Sequence, residues 1–230
     1  DVTLKAGNTY KLSGEYIVEA GATLNIEEGV KIISVYDNIV DYILVKQGAK
    51  INAVGTPDKP IVMTSEKEEP GAWGGIHICG KAHTNAEGGK GSSEIGGAVY
   101  GGNDDADNSG TLQYIRLEYT GFAFDEEHEA NGISFYGVGN GTIVDHCEAY
   151  KGSDDGFEFF GGSVNVSNMV VVSCSDDSFD WTEGWNGKGT DLVAYQEAKA
   201  TLGYDCDCLI EADNNENDNA ATPVSHPVLK

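Results

Sequence analysis

The chain of 230 residues carries 38 acidic side chains against 14 lysines and arginines, and its formal net charge at pH 7 is −24. This charge argues against nucleic acid and anionic membrane surfaces as partners, because both would repel the protein. No apolar run approaches the roughly 20 residues of a membrane span, and 31 glycines with only 5 prolines indicate many tight turns rather than disorder.

The first predicted strands come from a phrase that occurs twice, at Val18–Ile26 and at Val45–Ala53, with an offset of 27 residues. Apolar and polar residues alternate in both copies, which is typical of half-buried strands. Gly21 and Gly48 are expected in the turns, where a positive φ can be needed.

Two further strands are predicted over residues 60–65 and 74–79, and then the composition changes. Glycine and small polar residues dominate residues 80–110, which predict a long loop that leaves the regular coil. A strand resumes at once over residues 111–119, so the segment is not a linker. Long loops of solenoid proteins usually lie on one face and often carry function.

The second half of the chain repeats a phrase one lap later, because Gly152–Phe160 returns as Cys174–Thr182 with an offset of 22 residues. Equivalent strands are predicted at 133–135, 157–159, 179–181 and 210–212, with spacings of 24, 22 and 31 residues. Repeats of this length built from short alternating strands indicate a solenoid. We therefore predict an all-β fold, a right-handed parallel β-helix that forms a single domain over residues 1–230.

Several phrases resemble those of secreted or surface-anchored right-handed β-helix proteins, common in Bacteroidetes and related bacteria, within the pectate-lyase-like solenoid superfamily. These phrases are residues 60–65, 73–75, 100–121, 152–161 and 180–184. The resemblance covers residues 15–228 and implies the fold and a location outside the cell or on its surface, rather than an activity. Such proteins usually continue past a stretch like Ala221–Pro223, whereas this sequence stops at Lys230, so we expect the last lap to be open or the chain to be incomplete.

Acidic side chains stack on acidic side chains in this register. Asp154 is expected above Asp176, and Asp155 above Asp177, as a first row of carboxylates. Like charges about 5 Å apart repel by roughly 1 kcal/mol in water, and by several times more where solvent is restricted. Something must offset this repulsion if the side chains do not simply splay into water.

A second row is predicted from Ser134 through Glu158 and Asp180 to Glu211. Calcium could bridge such rows, since it favours several carboxylate oxygens, and Asp154 and Asp176 are its first candidate ligands. Alternatively, the paired acids share protons, as in glycosidases, or remain solvated. The three outcomes stay open from the sequence.

A second candidate calcium site is the turn Asp105-Ala-Asp107-Asn-Ser109-Gly, which resembles the first half of a calcium loop. The twelfth position is Arg116, so an EF-hand is excluded, while an isolated calcium turn or a solvated acidic turn remains open.

Two aromatic residues, Phe160 and Trp185, fall near the ends of laps. If they are exposed, they could form a platform for a sugar ring beside the second row of carboxylates, although large aromatic side chains more often belong to the core.

Together these features predict a non-catalytic extracellular or cell-surface scaffold, stabilised by calcium, that binds glycan or assembles with copies of itself. The alternative is a polysaccharide-active enzyme, foremost an inverting glycoside hydrolase that uses Asp154, Asp155, Asp176 and Asp177. A lyase is less well supported, because it needs a basic residue and the chain has a single arginine.

Overall fold

The computed structural model describes residues 1–37, 39–124 and 128–230, and it consists mainly of short strands that stack in parallel from lap to lap. The first three laps contain β1 (Val2–Leu4), β2 (Thr9–Leu12), β3 (Glu15–Val18), β4 (Thr23–Ile26), β5 (Lys31–Ser34), β6 (Tyr42–Val45), β7 (Lys50–Val54), β8 (Ile61–Ser65) and β9 (Ile76–Cys79). The predicted all-β parallel β-helix is therefore confirmed.

The chain then leaves the coil after β9, as predicted, and returns to it at residue 110, where β12 begins. This excursion holds a short 3₁₀ helix over Glu87–Gly89 and an antiparallel pair, β10 (Gly91–Ser92) and β11 (Val99–Tyr100). The segment is thus a small folded insert rather than an open loop.

The remaining laps contain β12 (Gly110–Glu118), β13 (Ile133–Tyr136), β14 (Ile143–Tyr150), β15 (Phe157–Phe160), β16 (Asn165–Ser167), β17 (Val170–Val172), β18 (Phe179–Thr182), β19 (Lys188–Thr190), β20 (Val193–Tyr195), the single helical turn α1 (Lys199–Leu202) and β21 (Val228–Leu229). None of the helices in the described part of the chain has the length and apolar character needed to cross a membrane.

The strands form two large parallel sheets. Sheet 1 has 13 strands and covers two faces of the coil, because β12 and β14 run continuously around the corner between them. Sheet 2 has six strands, in the order β3, β6, β9, β13, β15 and β18. Its register pairs Ile133 with Phe157 and Phe157 with Phe179, which confirms the predicted spacings of 24 and 22 residues.

The corner of sheet 1 repeats one backbone conformation on successive laps. Tyr114, His146, Asn168 and Asp191 have φ between 51° and 54°, and the Tyr114 ring stacks on His146 at 4.4 Å. A left-handed conformation costs a non-glycine residue on the order of 1 kcal/mol. The side chains at this corner are varied, so the turn of the coil rather than the residue type imposes the conformation.

Inward side chains of successive laps form continuous stacks in the core. Phe135 lies 5.1 Å from Phe159, and Phe159 lies 4.1 Å from Trp185, with nearly parallel rings. Trp185 is 1% exposed, and its indole N–H donates to the Val164 carbonyl. The interpretation of Trp185 as an exposed sugar platform is therefore wrong, because the lap end turns this ring into the core.

The outer face of sheet 2 is covered by the insert. A second apolar cluster forms there and contains Tyr42, Leu44, Cys79, Ile95, Ala98, Tyr100, Ala130, Tyr136 and Phe160. Phe160 stacks on Tyr136 at 4.4 Å and is only 8% exposed, so it does not form the open platform considered from the sequence. Covering this face creates a boundary between the insert and the strands, and the candidate site lies along it.

Phe159→Ala is expected to lower the free energy of unfolding by about 3–5 kcal/mol, because it removes the middle ring of a buried three-ring stack. Urea denaturation of the purified variant measures this change. Tyr195→Ala is the control, since Tyr195 is 58% exposed, and its effect should stay within about 0.5 kcal/mol. Equal losses for the two variants would contradict the described core.

Candidate functional site

The first row of carboxylates lies in the turn that precedes the strands of sheet 2. Because β15 and β18 are in register, the Asp-Asp pair before one strand lies against the pair before the next. The backbone N–H of Asp177 donates to Asp155 at 2.9 Å, and that of Cys208 donates to Asp177 at 2.7 Å. Each carboxylate thus accepts a hydrogen bond from the backbone of the following lap, which links the laps but leaves the charges uncompensated.

The second row lies on the outer face of sheet 2. Ser134 pairs with Glu158 and Glu158 with Asp180, in the order that the sequence predicts. Glu211 follows a single bridge residue, Ile210, rather than lying in a full strand. A hydrogen bond with Asp177, followed by burial, raises the pKa of Glu211 to about 8, so this side chain joins the first row as well.

The two predicted rows meet in one cluster. Carboxylate oxygens of Asp155, Glu158 and Asp180 all lie within 4.8 Å of one another. Groups with the same spacing are formed by Asp155, Asp176 and Asp177, and by Glu129, Asp154 and Asp176. The sequence places these acids in separate rows, whereas the structure joins them across the end of the turn.

Asn131 completes the cluster and was missed by the sequence reasoning. Its side chain is 1% exposed, and its Nδ2 donates to Glu158 Oε2 at 2.6 Å and to Ser134 Oγ at 3.0 Å. Its Oδ1, like Asp180 Oδ1, is buried and has no hydrogen-bond donor among the described residues. Asn131 lies two residues before β13, as Asp155 lies two before β15, so the spacing alone could have identified it.

The cluster is costly to ionise. Burial raises the pKa of Asp154 to about 8 and that of Asp180 to about 6. Burial, together with the neighbouring carboxylates, raises the pKa of Asp155 and Glu158 well above the usual carboxyl range. At neutral pH these groups need bound protons or a cation, since buried like charges repel strongly.

A cation fits these residues chemically. The groups offer several carboxylate oxygens and one neutral amide oxygen in a partly desolvated place, which are the ligands that calcium prefers. The unpaired Asn131 and Asp180 oxygens supply acceptors for which the described protein provides no donor.

The second row opens into a cleft of about 1180 Å³ between sheet 2, the insert and the loop over residues 213–221. Of the described residues that line it, eight are acidic, one is His128, and none is lysine or arginine. The acidic residues are Glu87, Glu94, Glu158, Asp180, Glu183, Asp213, Glu216 and Asp218. Tyr100, Tyr136 and Phe160 supply the apolar part of the lining.

Two cleft carboxylates are held by tyrosines. Glu183 accepts hydrogen bonds from Tyr100 Oη at 2.8 Å and Thr84 Oγ1 at 2.6 Å, and Glu94 accepts one from Tyr136 Oη at 3.2 Å. Burial raises the pKa of Glu94 to about 7. These glutamates were not predicted, because they meet only when the insert folds over sheet 2.

The predicted calcium turn has other partners. Asp105 pairs with His83 Nδ1 at 2.7 Å, and Asp107 accepts the backbone N–H of Lys81 at 3.1 Å. Ser109 is buried, and its hydroxyl lies 3.4 Å from the Asp107 carboxylate. These contacts join the beginning and the end of the insert to each other, and calcium binding at this turn stays a prediction.

Comparison with known proteins agrees with the parallel β-helix fold. A family model described as a pectate-lyase like beta helix domain matches the chain over residues 1–230. No curated protein matches the chain. The family match concerns the β-helix fold and identifies no ligand for the cleft.

In chelating buffer, the unfolding temperature is expected to rise as the pH falls from about 8 towards 5. The folded-state pKa of Asp154 is about 8, against roughly 4 in an unfolded chain. Between these values the folded protein binds a proton that the unfolded chain does not, so the free energy of unfolding decreases with rising pH. Differential scanning calorimetry across this range measures the slope.

Asp154→Asn should raise the unfolding temperature at pH 8 in chelator and flatten the pH dependence, because it removes one buried charge. Asp58→Asn changes an exposed acid far from the cluster and should leave the slope as it is. An unfolding temperature of the metal-free protein that increases with pH would contradict the described burial of these acids.

Proposed function

The chain belongs to the pectate-lyase-like β-helix family, and from this premise we propose that it is an extracellular, calcium-stabilised scaffold that binds glycan in its acidic cleft without cleaving it. The coil supplies a rigid support, the carboxylate cluster holds calcium, and the cleft beside the cluster receives the sugar chain.

The calcium proposal is carried by one observation, the convergence of Asp155, Glu158 and Asp180 to within 4.8 Å around buried oxygens that lack donors. Asn131 would add a neutral oxygen. A cation nearer the surface would be held by Glu129, Asp154 and Asp176. When bound, calcium supplies positive charge that offsets the repulsion between laps.

Such an ion would join several turns of the coil. Asp155 and Glu158 belong to the lap of β15, whereas Asp180 belongs to the lap of β18 and Asn131 to the lap of β13. Because laps of a solenoid contact only their neighbours, a ligand shared by three laps stiffens the stack where it otherwise repels itself.

The cleft supports glycan binding by its size and lining. It is larger than a typical small-molecule pocket of about 300–1,000 Å³, and it combines hydrogen-bonding carboxylates with the small exposed part of Phe160. Sugars need this combination, since they present hydroxyl groups around an apolar ring face.

The spacing of the predicted pairs speaks against an inverting hydrolase. Asp154 and Asp176 each have one oxygen within 4.8 Å of the other, as do Asp155 and Asp177, whereas the two carboxyl groups of an inverting hydrolase are about 6.5–9.5 Å apart to admit water. A lyase needs a basic group, and no lysine or arginine is found among the described residues that line the cleft.

Gently purified protein is expected to contain calcium, and a chelator should lower its unfolding temperature. Calcium at one hundred times its dissociation constant adds about 2.7 kcal/mol of stability. Asp155→Asn should remove most of the calcium-dependent shift, because Asp155 belongs to two of the candidate groups. Elemental analysis and calorimetry with and without calcium give the two readouts.

Asp107→Asn serves as the matched comparison, since it removes one acid from the other predicted calcium turn. If Asp107→Asn rather than Asp155→Asn removes the shift, the turn binds the ion and the cluster does not. Absence of both calcium and a chelator effect would overturn the calcium proposal. Release of sugar from polysaccharides that Asp155→Asn abolishes would overturn the non-catalytic proposal, and sedimentation of the same samples tests assembly with further copies.

A further inference from the structure

The carboxylates of the cleft differ from those of the first laps. In the first laps, acids form ion pairs with lysines of the neighbouring lap. Glu19 pairs with Lys46 and Glu28 with Lys59, both at 2.8 Å. None of the eight cleft acids has such an ion pair with lysine or arginine within the described ranges. The negative potential of the cleft is therefore not neutralised by ion pairs with lysine or arginine side chains of the described residues.

The cleft also has more acceptors than donors. The Tyr100 and Tyr136 hydroxyls are already donated to Glu183 and Glu94. The Asn85 amide donates to the Asn214 and Pro223 carbonyls. The cleft lining is thus rich in carboxylate oxygens, while these three side chains donate their hydrogen bonds within the protein.

Two buried oxygens at or behind the cleft lining also lack hydrogen-bond donors. Asn131 is 1% exposed and points its amide at Glu158, a wall residue, and its Oδ1 has no donor in the described structure. Asp180 lines the cleft and has a buried Oδ1 without a donor. One dication at these oxygens would offset two charges, and the four exposed acids of the lining, Glu87, Asp213, Glu216 and Asp218, lie outside the calcium cluster.

We infer that the glycan recognised by this cleft carries protonated amino groups, which makes its class a chain of amino sugars with free amines. An ammonium group offers three donors and a positive charge, and it matches a cleft whose described lining carries eight acidic side chains and no lysine or arginine. The inference rests on the proposed glycan-binding function, and it names the class of sugar.

A uronate chain is the opposite case. Its carboxylates would face a wall of carboxylates with no lysine or arginine among the described lining residues to receive them. Close approach of like charges across an interface costs several kcal/mol, unless calcium lies between them.

Isothermal titration calorimetry in calcium buffer, near pH 6 and at low salt, tests the inference with three probes of equal length. These are β-1,4-linked glucosamine hexamer, the fully N-acetylated hexamer and galacturonate hexamer. The first two share one backbone and differ in charge. The glucosamine hexamer should bind at least about tenfold more tightly than its acetylated form and should lose affinity as salt rises.

The double variant Glu87→Gln with Glu216→Gln removes two exposed wall charges outside the calcium cluster. It should weaken binding of the glucosamine hexamer by about tenfold. The matched control, Glu19→Gln with Glu28→Gln, removes the same charge from the first laps and should change the affinity less than twofold. Unfolding temperatures of both variants verify that they are folded.

Equal or tighter binding of the acetylated hexamer would overturn the amino-sugar inference and leave glycan binding in place. Tighter binding of galacturonate would have the same meaning and would assign the cleft to calcium-bridged uronates. Binding of none of the three probes would count against the proposed function itself. Equal effects of the two double variants would show that net charge rather than the cleft governs binding.

Discussion

Parallel stacking in register places each side chain over its counterpart on the neighbouring lap, at about 4.8 Å. The coil therefore brings like groups together, and their chemistry decides whether this helps. Stacked rings such as Phe135 and Phe159 gain contact, and Asn52 donates to Asn25 at 3.1 Å. Stacked carboxylates such as Asp155 and Asp177 repel, and the backbone hydrogen bonds between laps cannot compensate a net charge.

The early and late parts of the chain differ in how many cations they have to offset the repulsion between acids. Nine of the 14 lysines and arginines lie in the first 90 residues, whereas 26 of the 38 acids follow them. The later part of the chain therefore has far fewer cations for its acids than the early part. In the early laps, ion pairs between Lys46 and Glu19 and between Lys59 and Glu28 offset the charge of the acids. Many acids of the later laps lie beside the insert, where we propose that calcium and a glycan bind.

Much of this arrangement follows from periodicity. The 22-residue offset gives the register of β15 and β18, and with it the rows of carboxylates and, in retrospect, Asn131. Glu94 is different, because its position depends on how a non-repeating insert packs on sheet 2. Trp185 shows the same limit, since nothing in its spacing reveals that the lap end turns inward. The sequence repeat therefore predicts which side chains stack on successive laps. It does not predict which side chains of the insert or of the lap ends pack against them.

The cleft has two sources in the sequence. Its floor comes from strands whose place is set by every lap of the coil, while one wall comes from an insert that enters and leaves at a single point between β9 and β12. Changes in the insert can therefore alter what the cleft accepts without disturbing the stack beneath it. Relatives with the same coil and different inserts would share a foundation and differ in specificity, much as antibodies share a framework beneath variable loops.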